Sequence, residues 1–317
     1  MKSVQVIRTH ISPYQSQDFL QKEKVLLEKI PGVTYCSLED FIPSPTVLIT
    51  NTHTDLKALP EDILKHTELI IHPNSGYDNF SKDPEIWEKI PLIIGHEIRA
   101  QAVAEYSLAA VFQWVVDLPQ HLRWDKGRSW DRLLISELPV WIFGKGHIGK
   151  IIGDTLQALG SKVTYVDPYK EGTLKTWKEG NIGEAKIIIA ASGLNETSRE
   201  IFNSDFFNSL SKDVLFINGA RGKLVNEEAL KSYLLNNPEA FAYLDVFSNE
   251  PFGEEWLSFP QVSKTSHIAG VERKLDDRIL NFTEKVLRNF LTENKEVFFA
   301  KYADEILQNR WVKGILI

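Results

Sequence analysis

The sequence has 317 residues, 43% of them hydrophobic and 25% charged, a composition that excludes a long disordered chain and a collagen-like repeat. Its 36 basic and 43 acidic residues give a net charge of −7, which makes it a poor candidate for wrapping nucleic acid or lying on an anionic membrane. One cysteine, Cys36, excludes an internal disulfide, and the lack of a signal-like start or an apolar run of about 18 residues predicts a cytoplasmic protein.

The first hundred residues alternate short apolar runs with polar stretches. Runs rich in Val and Ile predict buried strands over residues 4–8, 47–50, 69–72 and 92–95. The polar stretches predict helices over residues 15–30, 55–65 and 83–89. This alternation predicts a parallel sheet with helices on its faces.

A long helix is expected next, over residues 100–123, followed by a second series of strands and helices. The strands are predicted at residues 140–143, 162–167, 186–191, 214–218 and 241–245. The helices are predicted at residues 148–159, 203–210, 226–236 and 274–291. Two such series joined by a long helix predict two α/β domains.

A glycine-rich loop, residues 144–149 with the sequence GKGHIG, lies between a predicted strand and a predicted helix. Gly144 suits a tight turn, Gly146 lets the backbone approach a pyrophosphate, and Gly149 allows close packing of the helix on the strand. The N–H groups at the start of the helix would hold the anion. The pattern therefore indicates a dinucleotide site, although glycines also serve as plain turn residues.

The strand that follows this loop ends in an acid, Asp167, which lies 18 residues beyond Gly149. A spacing of about 20 residues is typical of the carboxylate that binds the adenosine ribose. Asp167 would accept hydrogen bonds from both ribose hydroxyls and repel a 2′-phosphate, which favours NAD over NADP. Alternatively, Asp167 only opens a turn before Pro168.

Three charged residues are expected near the carboxyl ends of later strands, where ligands bind in open α/β sheets: Arg221, Glu250 and His267. Together they are sufficient for carbonyl reduction. Arg221 can pair with a substrate carboxylate and polarise the adjacent carbonyl, and His267 can donate or remove the proton. Glu250 can fix the tautomer of the imidazole and favour its charged form. Each also has a structural interpretation, as a solvated loop residue, the end of a turn, or a structural histidine.

These segments resemble the catalytic signatures of the D-isomer-specific 2-hydroxyacid dehydrogenases. The matching segments are residues 218–222 (NGARG), 245–251 (DVFSNEP) and 267–270 (HIAG), in that family's order and spacing. Residues 76–79 (GYDN) are similar to the family's substrate loop, and residues 102–105 (AVAE) to the start of its interdomain helix. The resemblance covers about residues 69–291.

For the substrate, the resemblance implies a role for each matching residue. Arg221 would bind and polarise the 2-oxo acid, His267 would be its acid/base, and Glu250 the partner of His267. Backbone N–H groups near Ser75 and Gly76 would hold the substrate carboxylate. Glu250 favours the hydroxyacid branch of the family, since the formate branch carries Gln there.

For the cofactor, the resemblance implies a further set of contacts with NAD. Asp245 would meet the nicotinamide carboxamide, and Val103 would pack on the nicotinamide ring. His147 and Ile148 would offer backbone N–H groups to the pyrophosphate. No metal is expected, because Arg221 supplies the polarisation that a metal would otherwise provide.

Three departures from the family pattern leave the substrate open. Ser266 stands where the family usually has Pro before the histidine, and Gly193 replaces another customary Pro. Residues 95–99 (GHEIR) lack the usual lead into the interdomain helix. Within them, Arg99 is either a second anion contact for a diacid or a helix-start residue paired with solvent.

We therefore expect two doubly wound α/β domains. Residues 1–98 and 290–317 would form a flavodoxin-like substrate domain, with a Rossmann NAD-binding domain, residues 99–289, inserted in it. The expected function is NAD(H)-dependent interconversion of a small 2-oxo acid and its D-2-hydroxy acid. A homodimer is expected, with helix 100–123 and the loop of Trp124 and Trp130 at the interface. The alternative is a dinucleotide-sensing, corepressor-like protein without significant turnover.

Overall fold

A computed structural model describes residues 3–80, 84–116, 133–312 and 315–317 of the chain. The strands, in chain order, are β1 (Val4–Arg8), β2 (Val33–Cys36), β3 (Thr46–Ile49), β4 (Thr67–His72), β5 (Leu92–Ile94), β6 (Val140–Phe143), β7 (Val163–Val166), β8 (Ile187–Ala190), β9 (Leu215–Asn218), β10 (Phe241–Leu244), β11 (Val262–Lys264), β12 (Trp311–Val312) and β13 (Ile315–Leu316). The α-helices are α1 (Phe19–Leu27), α2 (Glu61–His66), α3 (Pro84–Trp87), α4 (Glu97–Val115), α5 (His147–Ala158), α6 (Ser204–Asn208), α7 (Glu227–Asn236), α8 (Leu275–Thr292) and α9 (Lys295–Lys301).

The chain divides into two compact units, residues 1–99 with 271–317 and residues 100–270. In the first unit, five parallel strands lie in the order β2-β1-β3-β4-β5. This is the flavodoxin-like strand order. Apolar residues cover both faces of the sheet, as a parallel sheet with helices on each side requires.

The second unit contains six parallel strands in the order β11-β10-β9-β8-β6-β7. From β6 the chain first adds β7 on one side and then β8 on the other, so the strand order reverses at β6. In doubly wound sheets such a switch point forms the crevice in which ligands bind. The two sheets confirm the predicted fold class of two doubly wound α/β domains.

The predicted boundary between the domains at residue 290 is wrong. Helix α8 belongs to the first unit, which resumes at residue 271. The reason is packing, because Ile279, Phe282 and Val286 of α8 are buried in one core with Val6 and Val47 of the first sheet. The other predicted division, at residue 98, differs from the observed one by a single residue.

Two strands of the parallel sheets, β2 and β11, were not predicted, and neither were the two-residue strands β12 and β13. β2 is only partly buried, and β11 has three residues, so neither forms a continuous apolar run. The predicted helix over residues 55–65 is instead a 3₁₀ turn, Leu56–Ala58, followed by α2. Pro60 separates the two, because it lacks the N–H that a continuous helix would use.

Two other predicted helices have different bounds. The first, over residues 15–30, is shorter and becomes α1. The last described residue of the long helix is Val115, and the predicted interface loop of Trp124 and Trp130 lies outside the described residues. Within the described ranges, no helix is both long and apolar enough to span a membrane.

Candidate active site

The glycine-rich loop connects β6 to α5 in the second unit, at the point where the strand order reverses. Gly144 has a φ of +102°, a conformation that L side chains rarely adopt. A Cβ on Gly149 would lie 2.0 Å from the Gly144 carbonyl oxygen, so only glycine allows this approach of helix and loop. A Cβ on Gly146 would meet no protein atom within 4 Å. The loop therefore needs Gly144 and Gly149 for its own geometry, while Gly146 faces open space.

The N-terminus of α5 has the features of an anion site. The N-cap is Gly146, which supplies no side chain to the first N–H groups of this twelve-residue helix. Asp167, after β7, accepts hydrogen bonds from the N–H of Lys145 at 2.8 Å and of Tyr169 at 3.0 Å. A carboxylate has about four acceptor positions, so Asp167 keeps capacity for ribose hydroxyls. These residues fit a bound dinucleotide.

Arg221, Glu250 and His267 follow three adjacent strands of the same sheet. Arg221 comes after β9, Glu250 after β10 and His267 after β11. Because these strands are parallel neighbours, their carboxyl ends lie at one edge of the sheet. The sheet therefore brings the three signature segments to the same edge.

His267 and Glu250 are in direct contact. His267 Nδ1 lies 2.8 Å from Glu250 Oε2, with about half of the histidine side chain and 39% of the glutamate side chain exposed. Because a carboxylate only accepts hydrogen bonds, Nδ1 carries the proton. Nε2 is then the ring nitrogen that exchanges a proton with a substrate.

Asp245 organises the loop that carries His267. This buried carboxylate accepts hydrogen bonds from Ile268 N–H and Ala269 N–H, each at 2.8 Å, and from the Thr265 hydroxyl at 2.6 Å. Its backbone carbonyl accepts the N–H of His267 at 2.7 Å. Asp245 therefore holds the backbone on both sides of the histidine. Its contact with a nicotinamide carboxamide stays a prediction.

Asn218 shapes the turn before Arg221. Its buried side chain accepts the N–H of Ala220 at 3.1 Å and donates to the carbonyl of Arg221 at 2.9 Å. Arg221 Nη1 donates to the Ala220 carbonyl at 2.8 Å. A Cβ on Gly222 would lie 1.9 Å from Phe247 C, so the segments that carry Arg221 and Glu250 pack together closely.

Helix α4 contacts two of these segments through Val103 and Tyr106. The position that a Cβ would take on Gly219 lies 3.6 Å from Val103 Cγ1, 3.7 Å from Tyr106 Cδ1 and 3.8 Å from Ala269 Cβ. Val103 therefore lies beside the signature loops, where the resemblance predicts a nicotinamide ring. Burial raises the pKa of the Tyr106 hydroxyl.

Ser75 and Gly76 belong to the first unit, in the loop after β4. Among the described residues, neither of their backbone N–H groups has an acceptor, although Gly76 is buried. Buried N–H groups are almost always paired, so the Gly76 donor suits an anionic ligand, with the partly exposed Ser75 donor next to it. The buried His72 supports the loop, with Nε2 2.8 Å from the Gly76 carbonyl oxygen and Nδ1 2.9 Å from Thr50 Oγ1.

Arg99 contacts protein atoms at this loop. Its Nη1 donates to the Pro73 carbonyl and its Nη2 to the Tyr14 hydroxyl, each at 2.8 Å. Its guanidinium carbon also lies 5.8 Å from the centre of the Tyr14 ring. The prediction that Arg99 pairs only with solvent is therefore wrong, because Arg99 connects the start of this loop to the segment after β1.

Several residues that shape the site received no role from the sequence. They are Tyr106, Asn218, Thr265 and His72, each of which acts through a hydrogen bond to a partner remote in sequence or across a turn. For Asn218, the Asn-Gly pair after a strand was a usable signal. In the described part of the chain, no group of three His, Cys, Asp or Glu residues could hold a metal ion.

Comparison with known proteins supports the resemblance to the D-isomer-specific 2-hydroxyacid dehydrogenases. Residues 108–269, about half of the chain, match the family model described as the NAD binding domain of D-isomer specific 2-hydroxyacid dehydrogenase. The chain is 31% identical to erythronate-4-phosphate dehydrogenase of Idiomarina loihiensis over 223 residues, which are 66% of this chain and 52% of that protein. It is 29% identical to 2-ketogluconate reductase of Gluconobacter oxydans over 284 residues, which are 81% of this chain and 89% of that protein.

A solved structure has the same fold. It is D-lactate dehydrogenase from Aquifex aeolicus, complexed with NAD and lactic acid, which superposes with a TM-score of 0.70 at 18% identity. The superposition covers 96% of this chain and 99% of that one. Two sequence relatives are matched over less than two thirds of their own lengths: the putative 2-hydroxyacid dehydrogenase YoaD of Bacillus subtilis over 64%, and the Idiomarina protein over 52%.

Proposed function

Because this chain belongs to the D-isomer-specific 2-hydroxyacid dehydrogenase family, we propose that it is an NAD(H)-dependent oxidoreductase that interconverts a small 2-oxo acid and its D-2-hydroxy acid. The observation that carries the proposal is the hydrogen-bonded pair of His267 and Glu250, with Arg221 at the end of a neighbouring strand. A pair of this kind transfers protons, and a guanidinium recognises carboxylates.

The substrate would be held by its carboxylate. The Arg221 guanidinium can form two parallel hydrogen bonds to a carboxylate and polarise the adjacent C2 carbonyl. The N–H groups of Ser75 and Gly76, which have no acceptor among the described residues, are donors of the kind that the family resemblance assigns to a substrate carboxylate. Neutral aldehydes and ketones lack this anchor, so 2-oxo acids are the substrate class that these donors favour.

His267 would manage the proton. In the reductive direction, protonated Nε2 donates its proton to the carbonyl oxygen while C2 receives the hydride, so the C=O double bond becomes a C–H and an O–H bond. In the oxidative direction, neutral Nε2 removes the hydroxyl proton. Glu250 accepts the hydrogen bond from Nδ1 and thereby leaves Nε2 as the nitrogen that exchanges the proton.

The cofactor would lie along the carboxyl edge of the second sheet. Gly146 leaves open space for a pyrophosphate, the start of α5 provides N–H groups at His147 and Ile148, and Asp167 provides acceptors for ribose hydroxyls. When bound, the nicotinamide supplies or takes the hydride. The negative charge of Asp167 disfavours a 2′-phosphate, which supports NAD rather than NADP.

A cytoplasmic homodimer remains part of the proposal. The proteins named above are dehydrogenases and a reductase, and none of them supports the corepressor-like alternative. That alternative nevertheless makes a clear prediction, because a sensor binds NADH without oxidising it.

The test is NADH oxidation with a panel of 2-oxo acids, measured for the wild type and for His267→Ala and Arg221→Ala. Loss of the general acid is expected to lower kcat by about 100-fold or more, because that is the contribution usual for such a group. Loss of Arg221 is expected to raise KM as well as lower kcat. Lys162→Ala, at an exposed position remote from the signature segments, serves as a control with unchanged rates. Tight NADH binding without turnover of any acid would contradict the proposal.

A further inference from the structure

A chain of hydrogen bonds connects helix α4 to the loop that carries His267. Tyr106 Oη lies 2.9 Å from Thr265 Oγ1, which in turn lies 2.6 Å from Asp245 Oδ1. The carboxylate only accepts, so the single hydroxyl proton of Thr265 points to Asp245. Thr265 must therefore accept from Tyr106, and the chain runs in one direction, from Tyr106 through Thr265 to Asp245.

His267 depends on this chain because of its backbone conformation. Its φ is +56°, in the left-handed region that non-glycine residues rarely adopt. Such a conformation persists only where surrounding contacts enforce it. Among the described residues, Asp245 binds the backbone here: its carboxylate accepts the N–H groups of Ile268 and Ala269, and its carbonyl accepts the N–H of His267. Glu250 holds the imidazole of the same residue.

Ser266 increases that dependence. A proline in its place would restrict the backbone before the histidine, whereas serine leaves φ free. The loop must therefore be ordered by hydrogen bonds, and the orientation of the Asp245 carboxylate decides where they form. The hydroxyl of Thr265 fixes one oxygen of that carboxylate. The hydroxyl of Tyr106 fixes the rotamer of Thr265, because it occupies the acceptor side of Oγ1.

We propose that Tyr106 is a positioning residue for His267, acting through Thr265 and Asp245. The inference rests on the proposed function, in which His267 exchanges a proton with the substrate. Partial burial raises the pKa of Tyr106, so its hydroxyl remains a donor at the pH of any ordinary assay. Successive hydrogen bonds polarise one another, which strengthens the whole chain.

The experiment measures kcat, KM and Tm for Tyr106→Phe, Thr265→Val, Thr265→Ser and the double variant Tyr106→Phe/Thr265→Val. Tyr106→Phe is expected to lower kcat by about three- to tenfold, with KM for NADH unchanged, because one hydrogen bond in the chain is lost. Thr265→Val is expected to cost more, about ten- to 100-fold, since it removes a donor from Asp245 and the acceptor of Tyr106. Thr265→Ser keeps the hydroxyl and is expected to stay near the wild type.

The double variant tests the order of the chain. If Tyr106 acts through Thr265, Tyr106→Phe has no further effect once the Thr265 hydroxyl is gone. Tyr233→Phe is the matched control, because it removes another partly buried phenol hydroxyl in the same unit, bonded to the Ser211 carbonyl. It is expected to lower Tm while leaving kcat unchanged. An unchanged kcat in Tyr106→Phe, a matching kcat loss in Tyr233→Phe, or additive effects in the double variant would each overturn the proposal.

A second measurement is independent of turnover. The ring nitrogens of His267 can be followed by NMR, with their signals assigned by their disappearance in His267→Gln. Tyr106→Phe is expected to shift these signals, and Tyr233→Phe is expected to leave them in place. If the wild type reduces no 2-oxo acid, the proposed function fails, and the NMR result alone decides whether Tyr106 positions His267. Unshifted signals in Tyr106→Phe refute the positioning role.

Discussion

Alanine substitutions at two glycines of the nucleotide loop should have different effects. In Gly149→Ala the new methyl would lie 2.0 Å from the Gly144 carbonyl oxygen, about 1.0 Å short of the 3.0 Å that real contacts keep. Helix α5 or the loop must shift by that amount, and overpacking of this kind costs about 1–3 kcal/mol of stability. In Gly146→Ala the methyl meets no protein atom within 4 Å, so stability is expected to stay near that of the wild type.

Both variants should bind NADH more weakly than the wild type, for different reasons. Gly149→Ala displaces the loop, whereas Gly146→Ala places a methyl group where the pyrophosphate approaches the backbone. We expect the Kd for NADH to rise by about tenfold or more in each, equivalent to about 1.4 kcal/mol. Fluorescence titration gives the Kd, and thermal unfolding gives Tm. Gly183→Ala is the control, because its nearest contact at 3.4 Å is ordinary. Wild-type NADH affinity in a stable Gly146→Ala protein would refute the pyrophosphate site.

Three further predictions concern charges. Glu250→Gln should lower kcat for reduction, because a neutral amide makes a weaker hydrogen bond to His267 Nδ1 than a carboxylate does; an unchanged kcat contradicts the pairing. Arg99→Gln should raise KM for every 2-oxo acid if Arg99 only supports the loop after β4, and for diacids alone if it binds a second anion. A panel of monoacids and diacids separates the two roles, and an unchanged KM for every acid contradicts both. The hydrogen bond from Lys186 is the main cause that lowers the pKa of Asp213 in the folded protein. The pair therefore stabilises the fold at pH values above 3.8, the pKa of Asp in the unfolded chain, and this stabilisation is lost as the pH falls through the lower pKa of the folded state. Because 45% of the Asp213 side chain is exposed, Asp213→Asn should cost only about 0.5 kcal/mol at neutral pH in urea unfolding and nothing in strong acid; a larger cost would contradict this estimate.

The sequence predicted the interior strands of both sheets because those strands are continuous apolar runs. β2 and β11 were missed because β2 is only partly buried and β11 has three residues, one of them buried, so neither forms such a run. The boundary at α8 was missed for another reason. Its apolar face is evident from the sequence, but periodicity does not reveal which core that face joins, and here it is the core of the first unit.

The residues of the candidate site were also predicted only in part. Residues that carry charge at strand ends, such as Arg221 and His267, were found because their chemistry and spacing form a recognisable set. Residues that position them were missed. Tyr106 and Thr265 are 159 residues apart in the sequence, and only folding reveals that their hydroxyls meet. That the N–H groups of Ser75 and Gly76 find no acceptor in the described part of the chain is likewise a property of backbone geometry.

The most direct test of the central claim is the identity of the product formed from a 2-oxo acid and NADH. We predict that the wild type forms one D-2-hydroxy acid for each NADH oxidised, as resolved by chiral chromatography, and that His267→Gln forms almost none. Formation of the L-acid, or NADH binding with no hydroxy acid formed from any member of the panel, would contradict the account.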